Sequence, residues 1–302
     1  MRHGGPEVLE YGDVPDPTVG SGEVLVDIHA ASVNAADWKM RAGSYAPVSR
    51  FPYVPGRDFS GVVAALGSGV KDFRIGEAVF GVCETSQEGA YAEKIAINAT
   101  IVARKPDAIS HVDCAALALA GLTAIVSLED TLKLEHGETI LIQGGAGGVA
   151  GFAIQLARHL GARVITTARA ENHAYVRALG AAEVIDYRTE DFTRKVSACD
   201  AVFDTVGGEV AVKSFAVLRP GGRAAFIASG NAAPASPRPD VRALRPKVGR
   251  ERRHLERIIE LVRSGAVRPP QITRYPLSAA AEAHAVSEGR HFRGKLVLDV
   301  RG

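Results

Sequence analysis

Residues 139–157 read TILIQGGAGGVAGFAIQLA, and the hydrophobic period changes across the knot of glycines in their middle. Thr139 to Gln143 has the length and apolar run of a short buried strand, whereas Val149, Phe152, Ala153, Leu156 and Ala157 recur at helical spacing. The segment therefore reads as strand, tight turn, helix. Between the two, Gly145, Gly147 and Ala150 fit G-x-G-x-x-G/A. In that pattern the first glycine permits the turn, the second lets a pyrophosphate approach the backbone, and the third small residue lets the helix pack closely on the strand. The helix start around Gly147, Gly148 and Val149 offers free N–H groups and a positive dipole end to phosphates. Glycines alone also mark plain loops. Their placement after a strand and before a helix is what points to a bound nucleotide.

Outward from this stretch, residues 163–167, 182–186, 201–204 and 223–228 are further strand candidates alternating with helices, which predicts an α/β fold with a parallel doubly wound sheet. Residues 110–128 look helical. The region before Pro106 has another rhythm: residues 23–31 alternate as a half-buried strand does, and 60–66, 78–82 and 90–97 follow as short strands between glycine turns. Residues 230–246, with four prolines, read as a loop; 251–263 form an amphipathic helix and 295–300 a final strand.

Composition bounds the class. A chain of 302 residues is long enough for two domains, and a net charge of +2 is too mild to imply a polyanion partner by itself. Cys83, Cys114 and Cys199 are odd in number and far apart, so a reducing, cytoplasmic setting is expected rather than a disulfide framework. The start, MRHGGPEVLEYGD, lacks the apolar core of a secretory signal. The most apolar stretch, 114–128, is broken by Gly121, Thr123 and Ser127 and suits a buried helix better than a membrane span.

Sites that hold NAD place an Asp or Glu about 20 residues past the glycines, on the ribose 2′-hydroxyl. Here that neighbourhood reads Thr166, Thr167, Ala168, Arg169, with no carboxylate before Glu171. A 2′-phosphate would meet hydroxyls, Thr167 among them, and the Arg169 guanidinium, so NADPH is expected over NADH. The plainer alternative for Arg169 is a solvated loop charge.

The stretches GGPEVLEYGDVPDP (4–17), GEVLVDIHAASVNAADWKMRAG (22–43), PGRDFSGVV (55–63), GLTA (121–124), LIQGGAGGVAGFAIQLA (141–157), LGAAEVIDY (179–187), DTVGG (204–208) and RGKLVL (293–298) span nearly the whole chain. Together they resemble the zinc-independent quinone reductase and enone reductase branch of the medium-chain dehydrogenase/reductase superfamily. The resemblance implies a GroES-like, β-rich catalytic domain from residues 1–111 and 251–302 around an inserted Rossmann domain, 112–250. It also implies NADPH-dependent hydride transfer to a quinone or an α,β-unsaturated carbonyl, and a homodimer paired through the Rossmann edge strand at 223–228. Tyr187 would lie against the adenosine, and Val206, Gly207 and Ser229 along the route to the nicotinamide, although Val206 and Gly207 read equally well as a strand end and its turn.

Zinc-dependent relatives carry a Cys near positions 34–36 and Gly-His-Glu where this chain has Gly56, Arg57 and Asp58; neither is here, and Cys83 stands alone where a cysteine-rich lobe would fall. No metal is expected. A conjugated acceptor needs less polarisation than an isolated ketone, since hydride arriving at the far carbon delocalises charge onto an oxygen that modest donors can stabilise. The resemblance puts Asn34 near nicotinamide and substrate, Lys39 as an oxyanion or ribose contact and Tyr45 as a wall of the pocket. Against this, Trp38 and Tyr45 could fill the core, Lys39 could face solvent and Asp37 could cap a helix. Two departures stand out: relatives have a β-strand before the Gly4 match, so either the start at Met1 is late or the small domain lacks its first strand, which would expose a sheet edge, and Ala150 replaces the usual glycine.

A competing class is binding without chemistry, as an NADPH sensor or an RNA-binding relative. Residues 238–257 hold eight basic residues against three acids, but no Phe, Tyr or Trp to stack on bases, so a solvated loop and helix face is the expectation.

Overall fold

The structure, a computed structural model, describes residues 2–45, 48, 51–84 and 87–301. Its strands are β1 (Glu23–Val33), β2 (Asp58–Leu66), β3 (Ala78–Val82), β4 (Lys94–Asn98), β5 (Val102–Arg104), β6 (Thr139–Gln143), β7 (Arg163–Ala168), β8 (Glu183–Asp186), β9 (Cys199–Asp204), β10 (Leu218–Phe226), β11 (Arg242–Leu244), β12 (Ile272–Pro276) and β13 (Lys295–Asp299). The α-helices are α1 (Ala35–Arg41), α2 (His111–Ile125), α3 (Gly148–His159), α4 (His173–Leu179), α5 (Phe192–Lys195), α6 (Gly208–Lys213), α7 (Arg252–Arg263) and α8 (Ala280–Gly289). They fall into two compact units: Met1–Leu119 with Arg250–Glu260 and Pro269–Gly302, and Ala120–Gly249 with Leu261–Arg268.

The first unit is organised on β1, whose inward residues Val24, Val26, Ile28 and Ala30 alternate with half-buried ones, as a strand with one face on a core must. Its sheet runs β12-β13-β1-β2-β3-β5, with β4 also on β1. Eleven residues let β1 take β4 along its first half and β13 along Ala30–Val33. Leu296 and Leu298 of β13 join Val24, Ile28, Phe59, Val79 and Ile97 in the core, so the C-terminal strand completes a sheet begun near the N-terminus. The strand expected at 90–97 begins only at Lys94. Ala90 and Tyr91 instead give their amides to Gly56 and Pro55 (3.1 and 2.9 Å), past a turn with Glu88 at φ 51° and Gly89 at φ 97°.

The second unit carries a six-stranded sheet of order β11-β10-β9-β6-β7-β8, parallel throughout. Chain order reverses between β6 and β9, which is the crevice where doubly wound sheets bind ligands at their carboxyl ends. Both faces are covered, hence the continuous apolar runs; Leu141, Ile165, Val202, Phe215 and Phe226 share one core. Two expectations are corrected here. The proline-rich stretch 230–246 is not all loop, since Arg242–Leu244 pairs with β10 from Arg223 to Ala225. The strand expected at 223–228 is therefore not an edge, and that role passes to β11. The segment His111–Leu132 is long and apolar enough to cross a membrane, but 78% of its window is buried inside the protein, as a core helix is.

Candidate functional site

The glycine turn joins β6 to α3. Gly144 takes the left-handed conformation (φ 78°) that makes the turn, one position before the glycine the fingerprint assigned to it. Gly145 is required for packing: a Cβ there would lie 2.3 Å from Thr166 Oγ1, and its amide donates to the Thr167 carbonyl at 2.9 Å. Gly147 is the N-cap of α3, with no capping side chain and no acid in the first turn. A Cβ on Gly147 would meet only the Gly144 carbonyl, at 3.4 Å. The Gly147 amide closes the turn onto the Gly144 carbonyl at 3.0 Å, and the start of α3 presents half-buried Gly148 and Val149, with no capping side chain, to an anion above buried Ala150. Close helix packing is supplied by Gly151, where a Cβ would stand 3.3 Å from Leu179 of α4.

At the end of β7 the hydroxyl expectation is corrected. Thr167 is 3% exposed; its Oγ1 donates to Gln143 Oε1 (2.7 Å) and accepts from the Gly144 amide (3.1 Å). Thr166 Oγ1 donates to the Ile142 carbonyl at 2.6 Å. Both threonines secure the turn from beneath rather than facing a phosphate. Arg169, the next charged residue, does reach the surface: its Nε donates to the Tyr187 hydroxyl at 2.9 Å and its Nη1 lies 3.5 Å from Glu171. Tyr187 is 50% exposed.

At the end of β9, buried Asp204 accepts from the Val206 and Gly207 amides (3.3 and 2.9 Å), and burial raises its carboxyl above the usual range. Gly207 has φ 82°, and a Cβ there would come 2.7 Å from the Ala228 carbonyl. Val206 neighbours the glycine turn, its Cγ2 3.1 Å from where a Gly144 Cβ would stand. The Ser229 hydroxyl donates to the Ala232 carbonyl at 2.8 Å. Gly145 to Ala150, Val206 and Gly207 therefore gather at the carboxyl ends of β6 and β9, with Arg169 and Tyr187 paired beyond β7 and β8.

In the first unit the three candidates diverge. Asn34, just before α1, turns inward: Oδ1 accepts from Lys295 Nζ (2.6 Å), while Nδ2 donates to Asp58 Oδ1 (2.9 Å) and the Ser32 carbonyl (3.2 Å). Both amide protons are engaged, so Asn34 is a bridge within the unit and not a free oxyanion donor. Burial lowers the Lys295 ammonium and raises the Asp58 carboxyl, which also accepts from Ser32 Oγ and the Leu119 amide. Lys39, half-buried, sits 5.6 Å over the Trp38 ring. Tyr45 is 40% exposed, and the Arg57 guanidinium lies over its ring at 4.7 Å.

Arg57 opens onto a buried charge network that sequence reasoning missed. Its Nη2 is 2.6 Å from Glu88 Oε1 and its Nε 3.6 Å from Asp37 Oδ1. Asp37 Oδ2 accepts from the Asn34 amide (2.8 Å) and the Tyr91 hydroxyl (2.9 Å), and Tyr91 contacts His284 Nε2 at 3.3 Å. Burial pushes Asp37 up to about 6 and, with the Asp37 charge, Glu88 up to about 8. The one sequence signal was Arg57 standing where a zinc ligand would. A guanidinium facing Asp37 and Glu88 does not fit a zinc site, and among the described residues no three His, Cys, Asp or Glu side chains are grouped to hold a metal.

The arginine-rich stretch is largely engaged with the fold. Arg238 donates to the Leu218 carbonyl (2.6 Å), Arg245 to Phe226 (2.7 Å), Arg250 to Cys83 (2.7 Å) and Arg252 to Ala99 (2.7 Å). These donors hold backbone carbonyls at both ends of β10, at Cys83 and at Ala99.

Two family profiles match: an alcohol dehydrogenase GroES-like domain over residues 20–107 and a zinc-binding dehydrogenase over 179–298. The chain is 34% identical over 308 residues to the NADPH-dependent alkenal/one oxidoreductase of Arabidopsis thaliana, covering 98% of this chain and 77% of that protein. The quinone oxidoreductase of Coxiella burnetii superposes with a TM-score of 0.92 at 35% identity, over 99% of this chain and 97% of that one. The Escherichia coli quinone oxidoreductase complexed with NADPH superposes with a TM-score of 0.88 at 29% identity, over 99% and 98% of the two chains. The chain belongs to the quinone and enone oxidoreductase branch of the medium-chain dehydrogenase/reductase superfamily.

Proposed function

We propose that the protein transfers hydride from NADPH to quinones or α,β-unsaturated carbonyls without zinc. The observation that carries this reading is the uncapped start of α3 behind the glycine turn, joined at the end of β7 by a guanidinium instead of a carboxylate. When bound, NADPH supplies the hydride. The N–H groups of Gly148 and Val149 hold the diphosphate, Gly147 leaves room for its approach, and Gly145 keeps the turn close to its helix. Arg169 takes the 2′-phosphate and Tyr187 the adenosine; Val206, Gly207 and Ser229 border the way to the nicotinamide. Thr167 acts from below, by fixing the turn. Residues 112–250 serve as the cofactor domain, and 1–111 with 251–302 as the catalytic domain.

On the acceptor side Lys39 and Tyr45 border the pocket, and Asn34 holds the start of α1. A conjugated acceptor suits such a site, because its oxygen gathers charge gradually and is stabilised by hydrogen-bond donors alone. We further propose a cytoplasmic homodimer; with β10 covered, a sheet contact between copies would run along the unpaired edge of β11. The test is a screen of NADPH oxidation against quinones, enones and saturated ketones with chelator present. Turnover restricted to the conjugated acceptors is expected. Saturable NADPH binding without turnover on any acceptor would make the protein a sensor, and RNA retention without nucleotide affinity would make it a binding protein.

A further inference from the structure

We propose that Arg57 is a positioning residue for the acceptor, bracing the Tyr45 ring from behind while Glu88 holds the guanidinium in place. The proposal rests on the reading of Tyr45 as a wall of the acceptor pocket. Tyr45 follows the short helix α1 and is 40% exposed. The Arg57 side chain is 4% exposed, so a rigid buried cation stands 4.7 Å behind a ring that otherwise faces outward. The planar guanidinium offers its face to the ring and its edge to carboxylates, which an ammonium cannot do.

The second observation is the backbone at Glu88. A non-glycine residue at φ 51° is strained, yet here the strain brings a fully buried carboxyl to 2.6 Å from Arg57 Nη2. Among the described residues Glu88 Oε2, Asp37 Oδ1 and Arg57 Nε are buried without hydrogen-bond partners, so the cluster is not the arrangement that stability alone would favour. Glu88 faces Arg57, Asp37 and Arg250; Asp37 faces Arg57, Asp58 and Tyr91; Arg250 faces Glu84, Tyr45 and Arg57. Around Arg57 two carboxyls share one guanidinium, and Arg250 stands near Glu88 as a second cation. Glu88, pushed up to about 8, stays protonated at neutral pH and ionises in mildly alkaline solution. The carboxylate then binds the guanidinium more strongly than the neutral acid did, draws it off the Tyr45 ring and loosens the brace.

Steady-state kinetics on the whole protein at saturating NADPH test this. Arg57→Lys keeps a cation for the carboxylates but loses the planar stack; it is expected to raise the acceptor KM about tenfold with kcat and the NADPH KM nearly unchanged. Tyr45→Leu should raise the acceptor KM similarly, and the double variant should be no worse than either single one. In the native protein the acceptor KM should rise as pH passes about 8, and Glu88→Gln, which keeps the hydrogen bond and the volume, should abolish that rise. If Arg57→Lys does not fold, the Glu88→Gln profile carries the test. Multiplicative effects in the double variant, or an unchanged profile in Glu88→Gln, would overturn the proposal. A Tyr45→Leu variant with native acceptor KM would remove the reading of Tyr45 as a wall, and the brace with it.

Discussion

Arg169 and Tyr187 meet just past the carboxyl ends of neighbouring strands β7 and β8, the guanidinium Nε donating to the phenol oxygen at 2.9 Å. The bond holds a cation at the position where an NAD-binding site keeps an acid. Arg169→Ala should therefore raise the NADPH KM about tenfold to a hundredfold, as loss of a charge-assisted hydrogen bond does, and leave NADH kinetics nearly unchanged. Parallel initial-rate measurements with the two cofactors check the ratio.

Gly145 and Gly147 should separate stability from binding. A methyl on Gly145 would lie 2.3 Å from Thr166 Oγ1, so Gly145→Ala should destabilise the fold by about 1–3 kcal/mol. A methyl on Gly147 meets only a carbonyl at 3.4 Å and should leave the thermal midpoint nearly unchanged. It would instead fill the diphosphate's approach, weakening NADPH by about tenfold or more. Thermal melts and NADPH titrations of both variants test the contrast.

Asn34→Leu removes the link between Lys295 and Asp58. Lys295 keeps the Val33 carbonyl and Asp58 keeps Ser32 and the Leu119 amide, but each buried charge loses a partner. Urea denaturation should show a loss of about 2–4 kcal/mol. A variant of native stability that is merely inactive would return Asn34 to a direct catalytic role.

Two buried groups give the stability a pH dependence of opposite sign. Burial, aided by Arg41, pushes His284 down from 6.5 to about 4, so its contribution is present above pH 6.5 and lost as pH falls from there to about 4. Glu88 is raised from 4.5 to about 8, so its contribution is present below pH 4.5 and lost as pH rises to about 8. The urea midpoint of Glu88→Gln should gain on the native protein between these limits, and that of His284→Asn should fall less on acidification.

The sheet around β6 was legible because local pattern and fold agree there: residues 139–143 form the expected strand, and the glycines punctuate it. β11 was not legible, since Arg242–Leu244 is a strand only through its register with β10 and has no alternation of its own. The same limit applies to the site. Arg169 and Tyr187 stand beside recognisable strand ends, whereas Glu88 reaches Arg57 across 31 positions through a backbone conformation that Glu rarely adopts. The residue type of Thr167 suggests a phosphate contact, whereas its position in the fold puts its hydroxyl on Gln143 and the Gly144 amide.

The most direct test of the central claim is calorimetric titration of the chelator-treated protein with NADPH and NADH. One NADPH bound per chain, more tightly than NADH, with that preference abolished in Arg169→Ala, is the predicted result. No affinity for either nucleotide, or tighter binding of NADH, would contradict it.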